Sequence, residues 1–137
     1  MGRRTKAREC AFQMLYQREM TGEPIERVVE GYWRIRTASD ETGASAERMA
    51  RGALEKAAEI DSVITEALKN WRFDRVAPVD RNILRLATYE LLAGEAPPAV
   101  IMDEAVEMAK RFGEADSAPF VNGVLDAVSR KVRGAKA

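Results

Sequence analysis

SAPFVNGVLDAVSRKV, residues 117–132, can be read in two ways, and the choice between them decides the fold. Asn122 and Gly123 between apolar residues form the dipeptide that favours a tight hairpin turn between two strands. Yet Phe120, Val121, Val124, Leu125 and Val128 recur at the three- and four-residue intervals that line one face of a helix. Ser117 followed by Pro119 also makes a good helix start, because serine caps exposed N–H groups and proline lacks one to leave unpaired. The stretch therefore reads as a helix, with Gly123 permitting close approach of another backbone.

Working outward, no other segment offers a strand. VDRNILRLATYELL, residues 79–92, carries the most regular apolar stripe, through Val79, Ile83, Leu86, Ala87 and Leu91. Pro78 restarts the chain ahead of it, and Gly94, Pro97 and Pro98 end it. Ile101, Ala105, Met108, Ala109 and Phe112 line a further helix stopped by Gly113. Upstream, Ala7, Cys10, Ala11, Met14 and Leu15 begin a first helix closed by Gly22, and Pro24 opens a second through Ile25, Val28, Val29, Tyr32 and Trp33. Thr37 to Ser45 is polar and reads as a loop. Ala46, Met49, Ala53, Leu54, Ala57 and Ile60 continue a long helix, and Asp61 caps a following set with Val63, Ile64, Ala67 and Leu68. Trp71 and Phe73 read as a core corner anchored by large side chains. The expected fold is all-α: a compact bundle of about seven helices, in one domain spanning residues 1–137.

Composition agrees with helices. Of 137 residues, 46% are hydrophobic but only 7% aromatic, which favours packing through alanine and aliphatic side chains. No apolar run approaches the roughly 20 residues of a membrane span, so a soluble cytoplasmic protein is expected. Cys10 is the only cysteine, which excludes an internal disulfide, and it falls on the apolar face of the first helix. Histidine is absent, which removes the commonest general base and an ordinary zinc site. Asp103, Glu104 and Glu107 could pair for acid–base chemistry, but carboxylates early in a helix more often form a solvated face complementing its dipole. There is no glycine-rich phosphate loop. No catalytic site, metal or cofactor is expected.

Charge is the informative feature. Net charge is zero, yet residues 1–10 carry +3 and residues 127–137, with Arg130, Lys131, Arg133 and Lys136, carry +4, leaving −7 on the body. Arg3, Arg4, Lys6 and Arg8 open a helix, where cations oppose the dipole and do not serve stability. A bound phosphate reverses that argument, since N–H groups at the helix start and arginine forks together suit a polyanion backbone. Four such contacts to a single strand predict a log–log salt slope of about −3. Phe112, Phe120 and Asn122 are candidates for base stacking and base-edge hydrogen bonds.

Three stretches, RRTKARECAFQMLYQ (residues 3–17), VDRNILRLATYEL (79–91) and IMDEAVEMAKRFGEADSAPFVNGVLD (101–126), together resemble the NusB family of bacterial transcription antitermination factors. That resemblance implies a NusB-like fold of two small helical subdomains and the role of a non-catalytic RNA-binding adaptor. It implies binding of the boxA element of ribosomal RNA leader transcripts together with NusE, a small-subunit ribosomal protein, within an antitermination complex containing RNA polymerase, NusA and NusG. By position it puts RNA contacts on Arg3, Arg4, Lys6, Arg8, Phe112, Asp116, Phe120 and Asn122, and the NusE-facing region on Asp74 and Asp80. The acidic body fits a basic partner. Thr5 interrupts the cationic run, and Leu68 stands where relatives carry an aromatic toward the partner. Pairing into a homodimer is left open. Two alternatives remain: a module like the one fronting ribosomal RNA cytosine methyltransferases, whose second domain and catalytic cysteine this sequence does not supply, and a helical scaffold that binds only protein.

Overall fold

The apolar stripes become helices in the computed structural model, which describes residues 2–136, with side chains placed through Gly134. In chain order these are α1 (Arg3–Thr21), α2 (Ile25–Ile35), α3 (Asp40–Glu55), α4 (Ala57–Ala67), α5 (Pro78–Ala93), α6 (Pro98–Phe112) and α7 (Ser117–Lys136), with a 3-10 turn at Phe73–Arg75. Among the described residues there is no strand, and no helix is long and apolar enough to cross a membrane. Pro78 and Pro98 sit in the first turns of their helices, and Gly22 and Gly94 end α1 and α5 with φ of 73° and 68°, a left-handed conformation that glycine adopts without strain.

The ambiguous stretch is helical throughout. Val121, Leu125 and Val128 are fully buried, whereas Asn122 and Gly123 lie on the exposed side. Gly123 does not admit a neighbouring backbone, contrary to the expectation from the sequence: a Cβ there would meet nothing within 4 Å. The close approach occurs at Gly52 of α3, where an added Cβ would stand 2.5 Å from the Tyr89 hydroxyl on α5. Two boundaries also differ. Ser39 accepts from the Thr42 amide at 3.1 Å, so α3 begins inside the polar stretch taken for a loop, with Asp40 and Glu41 complementing its dipole. The chain breaks at Lys56 and not at Asp61, whose carboxylate instead receives Arg85 from α5 at 3.0 and 3.1 Å.

α5 is the central element, touching α1, α3, α4, α6 and α7, while α1 packs on α2, α3 and α5. The halves α1–α3 and α4–α7 therefore meet mainly through α1 and α3 against α5. Across that seam lies a charged contact. Arg8 is 3% exposed, and its Nε lies 3.0 and 2.9 Å from the two carboxylate oxygens of Glu90, itself 5% exposed. Arg8 Nη1 also reaches Glu104 of α6 at 3.3 Å, and the Thr5 hydroxyl donates to the same carboxylate oxygen. Glu104 is thus a partly buried member of this network and does not stand on the solvated face expected for it.

A second cluster joins the far end of α1 to α5. Glu19 receives Arg81 and Arg85, each at 2.7 Å, and Arg81 continues to the Val76 carbonyl at 2.7 Å, holding the 3-10 turn. Burial raises the Glu19 carboxyl, but the two guanidiniums outweigh it and hold the group below the usual range.

Removing one member of a buried pair strands the other without solvent. Arg8→Met should therefore cost about 3–5 kcal/mol of unfolding free energy. Urea unfolding followed by circular dichroism measures this, and a wild-type midpoint would show that the pair does not hold the seam.

Candidate nucleic-acid interface

The start of α1 carries unsatisfied positive character. Gly2 caps it with no side-chain hydrogen bond, and its first turn has no acidic residue. Arg3, Arg4 and Lys6 are exposed there. Arg3 pairs with Glu41, but both side chains are well exposed, a type of contact worth about 0–1 kcal/mol. Arg4 and Lys6 have no acidic partner among the described residues.

Arg8 departs from the expected group of four. One turn further along, α1 has rotated its side chain onto the apolar face, where Glu90 and Glu104 occupy the guanidinium. It is not presented to solvent, so the cationic surface consists of Arg3, Arg4 and Lys6. Thr5, an interruption in sequence, helps hold this network through Glu104.

Lys6 faces a hollow that also brings in Phe112, although the two residues are 106 positions apart in sequence. Phe112 is half-buried on Phe12, with ring centroids 5.3 Å apart, and the Arg111 guanidinium lies 5.3 Å from the Phe112 centroid. Arg111 in turn pairs with Glu9 of α1. This hollow of about 350 Å³ is also lined by Gln13 and Arg36. A second, of about 340 Å³, shares Gln13, Arg36 and Phe112 and continues past Tyr16 and Gln17 to Val79. The two make one trough between α1, the end of α2 and the end of α6.

The remaining expected contacts do not all converge. Phe120 is half-buried and meets the edge of Trp71, with centroids 6.1 Å apart. Trp71 is 61% exposed and does not anchor a core corner. Asp116 is exposed just ahead of α7. Asn122 is exposed, but two residues along a helix place it about 200° around from Phe120, so the two do not share a face. Among the basic tail residues, Arg130 pairs with Asp126 and Lys131 with Glu66, while the Lys136 side chain lies outside the described residues.

Of the two carboxylates expected to face a protein partner, Asp74 is exposed and paired with Arg72 at 2.8 Å. Asp80 is buried beside the start of α7 and its Oδ1 meets no donor. Its side chain cannot serve as a surface charge, because it lies on the same helical stripe as Ile83 and Ala87. Leu68 is buried as well.

The NusB family model matches residues 5–130. The chain belongs to the NusB family. It is similar to the transcription antitermination protein NusB of Sorangium cellulosum (strain So ce56), 46% identical over 133 residues that cover 96% of this chain and 95% of that protein. Among solved structures, NusB of T. maritima superposes with a TM-score of 0.85 at 37% identity, covering 96% of this chain and 92% of that one. A crystal structure of antitermination factors NusB and NusE in complex with dsRNA superposes with a TM-score of 0.87 at 28% identity, covering 96% and 98%. The all-helical NusB fold expected from the three sequence stretches is therefore the fold of this chain.

The sequence reading missed Arg36, Arg111, Gln13 and Gln17. Gln13 and Gln17 had a signal, being four residues apart beside the aromatics Phe12 and Tyr16 on one helix. Arg36 ends α2 in a stretch without periodicity, and only the packing of α2 on α1 brings it to the trough.

Asp80 gives a pH prediction. Burial raises its pKa, the Ser117 hydroxyl opposes this, and the charges of Asp116 and Glu114 add to it. The native state therefore holds the proton more tightly than the unfolded chain, and the carboxyl lowers stability as pH rises through the acid range. Asp80→Asn should gain stability relative to wild type between pH 3 and pH 7 in urea unfolding. A difference independent of pH would show that the carboxyl carries no such penalty.

Proposed function

We propose that this NusB-family chain acts as a transcription antitermination factor that binds the boxA element of ribosomal RNA leader transcripts together with NusE. Within this reading the pair joins RNA polymerase, NusA and NusG in the cytoplasm, and the chain serves as a single-domain adaptor without chemistry of its own. The observation that carries the reading is the opening of α1: two exposed cations without acidic partners and a third in an exchangeable pair, at a helix start that supplies no other anion. Arg3, Arg4 and Lys6 hold phosphates, Phe112 lies at the adjoining hollow, and Phe120 with Asp116 forms a second contact area at the start of α7. A carboxylate there can accept from a base amino group. Asn122, on another face, contributes less. Arg8 acts indirectly, by fixing the rotation of α1 on α5.

The partner surface centres on Asp74, and Asp80, buried beside the start of α7, is not exposed on it. The two surfaces share α1. Its first turn carries the phosphate ligands, and Glu19 near its end holds Arg81, which holds the turn bearing Asp74. RNA and NusE should therefore bind cooperatively, since ordering α1 for one ligand orders it for the other.

Fluorescence anisotropy with labelled boxA RNA tests both claims. Replacing Arg3, Arg4 and Lys6 by Ala should flatten the log–log salt slope by about 2, at about 0.7 per phosphate contact, while the helical signal is retained. An unchanged affinity would favour a scaffold that binds only protein. NusE should tighten the wild-type RNA titration, and it should do so less in Glu19→Gln. Equal titrations with and without NusE would rule out the coupling.

A further inference from the structure

The trough contains polar groups beyond the cations at the start of α1. Arg36 lines both of its hollows. It is exposed, its guanidinium carbon lies 4.5 Å from the Tyr32 ring centroid, and it has no acidic partner among the described residues. Nearby Arg34 and Arg111, by contrast, each hold a carboxylate. The Tyr32 hydroxyl donates to Gln13 Oε1, which leaves the Gln13 amide N–H groups free. The Gln17 side chain has no hydrogen bond within the described residues. Tyr16 and Phe112, both half-buried, bring aromatic surface to the same wall.

Charge sets the class of occupant. The lining holds Lys6, Arg36 and Arg111 against a single carboxylate, Glu9, in a chain whose net charge is zero. An anion with hydrogen-bonding edges and flat apolar faces fits these groups, which describes a nucleotide more closely than a peptide. Lys6 belongs both to the cationic opening of α1 and to this lining, so a strand held at one enters the other without a gap.

We propose that the trough takes the continuation of the RNA strand held by Arg3, Arg4 and Lys6. Arg36 grips a backbone phosphate there, stiffened by its stacking on Tyr32. The amides of Gln13 and Gln17 meet the edge of an unstacked base that lies against Tyr16 and Phe112. The proposal rests on the RNA-binding reading and adds a second segment of strand to it.

The test is anisotropy of labelled boxA RNA with Arg36→Gln, Gln17→Ala and the triple alanine variant of Arg3, Arg4 and Lys6, with circular dichroism confirming the fold of each. Arg36→Gln should bind about fivefold more weakly, as for loss of one exposed charged contact, with a salt slope shallower by about 0.7. Gln17→Ala should weaken binding about fivefold with the slope unchanged, as for loss of an uncharged hydrogen bond. Shortening the RNA one nucleotide at a time should bring wild type and Arg36→Gln to equal affinity once the strand no longer reaches the trough. Wild-type affinity and slope in Arg36→Gln, alongside loss in the triple variant, would overturn the trough while leaving the cationic opening in place. Absence of RNA binding by the wild type, with and without NusE, would overturn both. If Arg36→Gln bound RNA normally but changed the sedimentation coefficient, the trough would belong to a second copy of the chain and the proposal would fail.

Discussion

Arg8 and Glu90 are the contact on which the rest of the arrangement depends. Taking a guanidinium and a carboxylate out of water costs several kcal/mol per ion, and their attraction offsets this only when the geometry is good and the remaining N–H groups and lone pairs are satisfied. Here both carboxylate oxygens face the same Nε, and Glu104 takes Nη1. An apolar contact would tolerate some rotation of α1, whereas this pair fixes one setting. That setting turns Arg3, Arg4 and Lys6 outward, puts Lys6 beside Phe112, and presents Gln13, Tyr16 and Gln17 to the trough.

The helices were legible in the sequence because their stripes are long and bounded by proline and glycine, and even Asn122-Gly123 could not override the buried spacing of Val121, Leu125 and Val128. The boundary at Ser39 was harder to see, since a capping serine followed by acids looks like any polar loop until the helix behind it is known. Arg8 was misread although a signal was present. The stripe through Ala11, Phe12 and Leu15, extended backwards, lands on Arg8, and the stripe through Ile83, Leu86 and Ala87, extended forwards, lands on Glu90. A charge on each of two apolar stripes points to a buried pair, because neither can be desolvated alone. Asp80 also falls on such a stripe, with Ile83 and Ala87, but its Oδ1 meets no donor, so there the burial is read from the stripe and the pairing is not found.

The candidate site was less legible, for a different reason. Its parts come from α1, the residue just past α2 and the end of α6, and nothing in the local sequence says which helix ends meet. Trp71 makes the same point in reverse. A large aromatic suggests a core, yet the segment between α4 and α5 has no stripe to turn it inward, and it stays exposed with only its edge against Phe120.

Two of the cations near the cleft arrive already occupied, Arg3 by Glu41 and Arg111 by Glu9. Each carboxylate acts as a placeholder that an incoming anion must evict: for the exposed Glu41 the eviction returns about as much attraction to the solvent as the newcomer supplies, and for the buried Glu9 it costs more, because the carboxylate is left without water. A lone phosphate ion therefore has little to gain at either position. A chain of linked phosphates, which pays its entropy of association once and meets several cations in succession, gains at every further step. These internal pairs thus act as a filter on valence, leaving the surface indifferent to small anions and responsive to polymers.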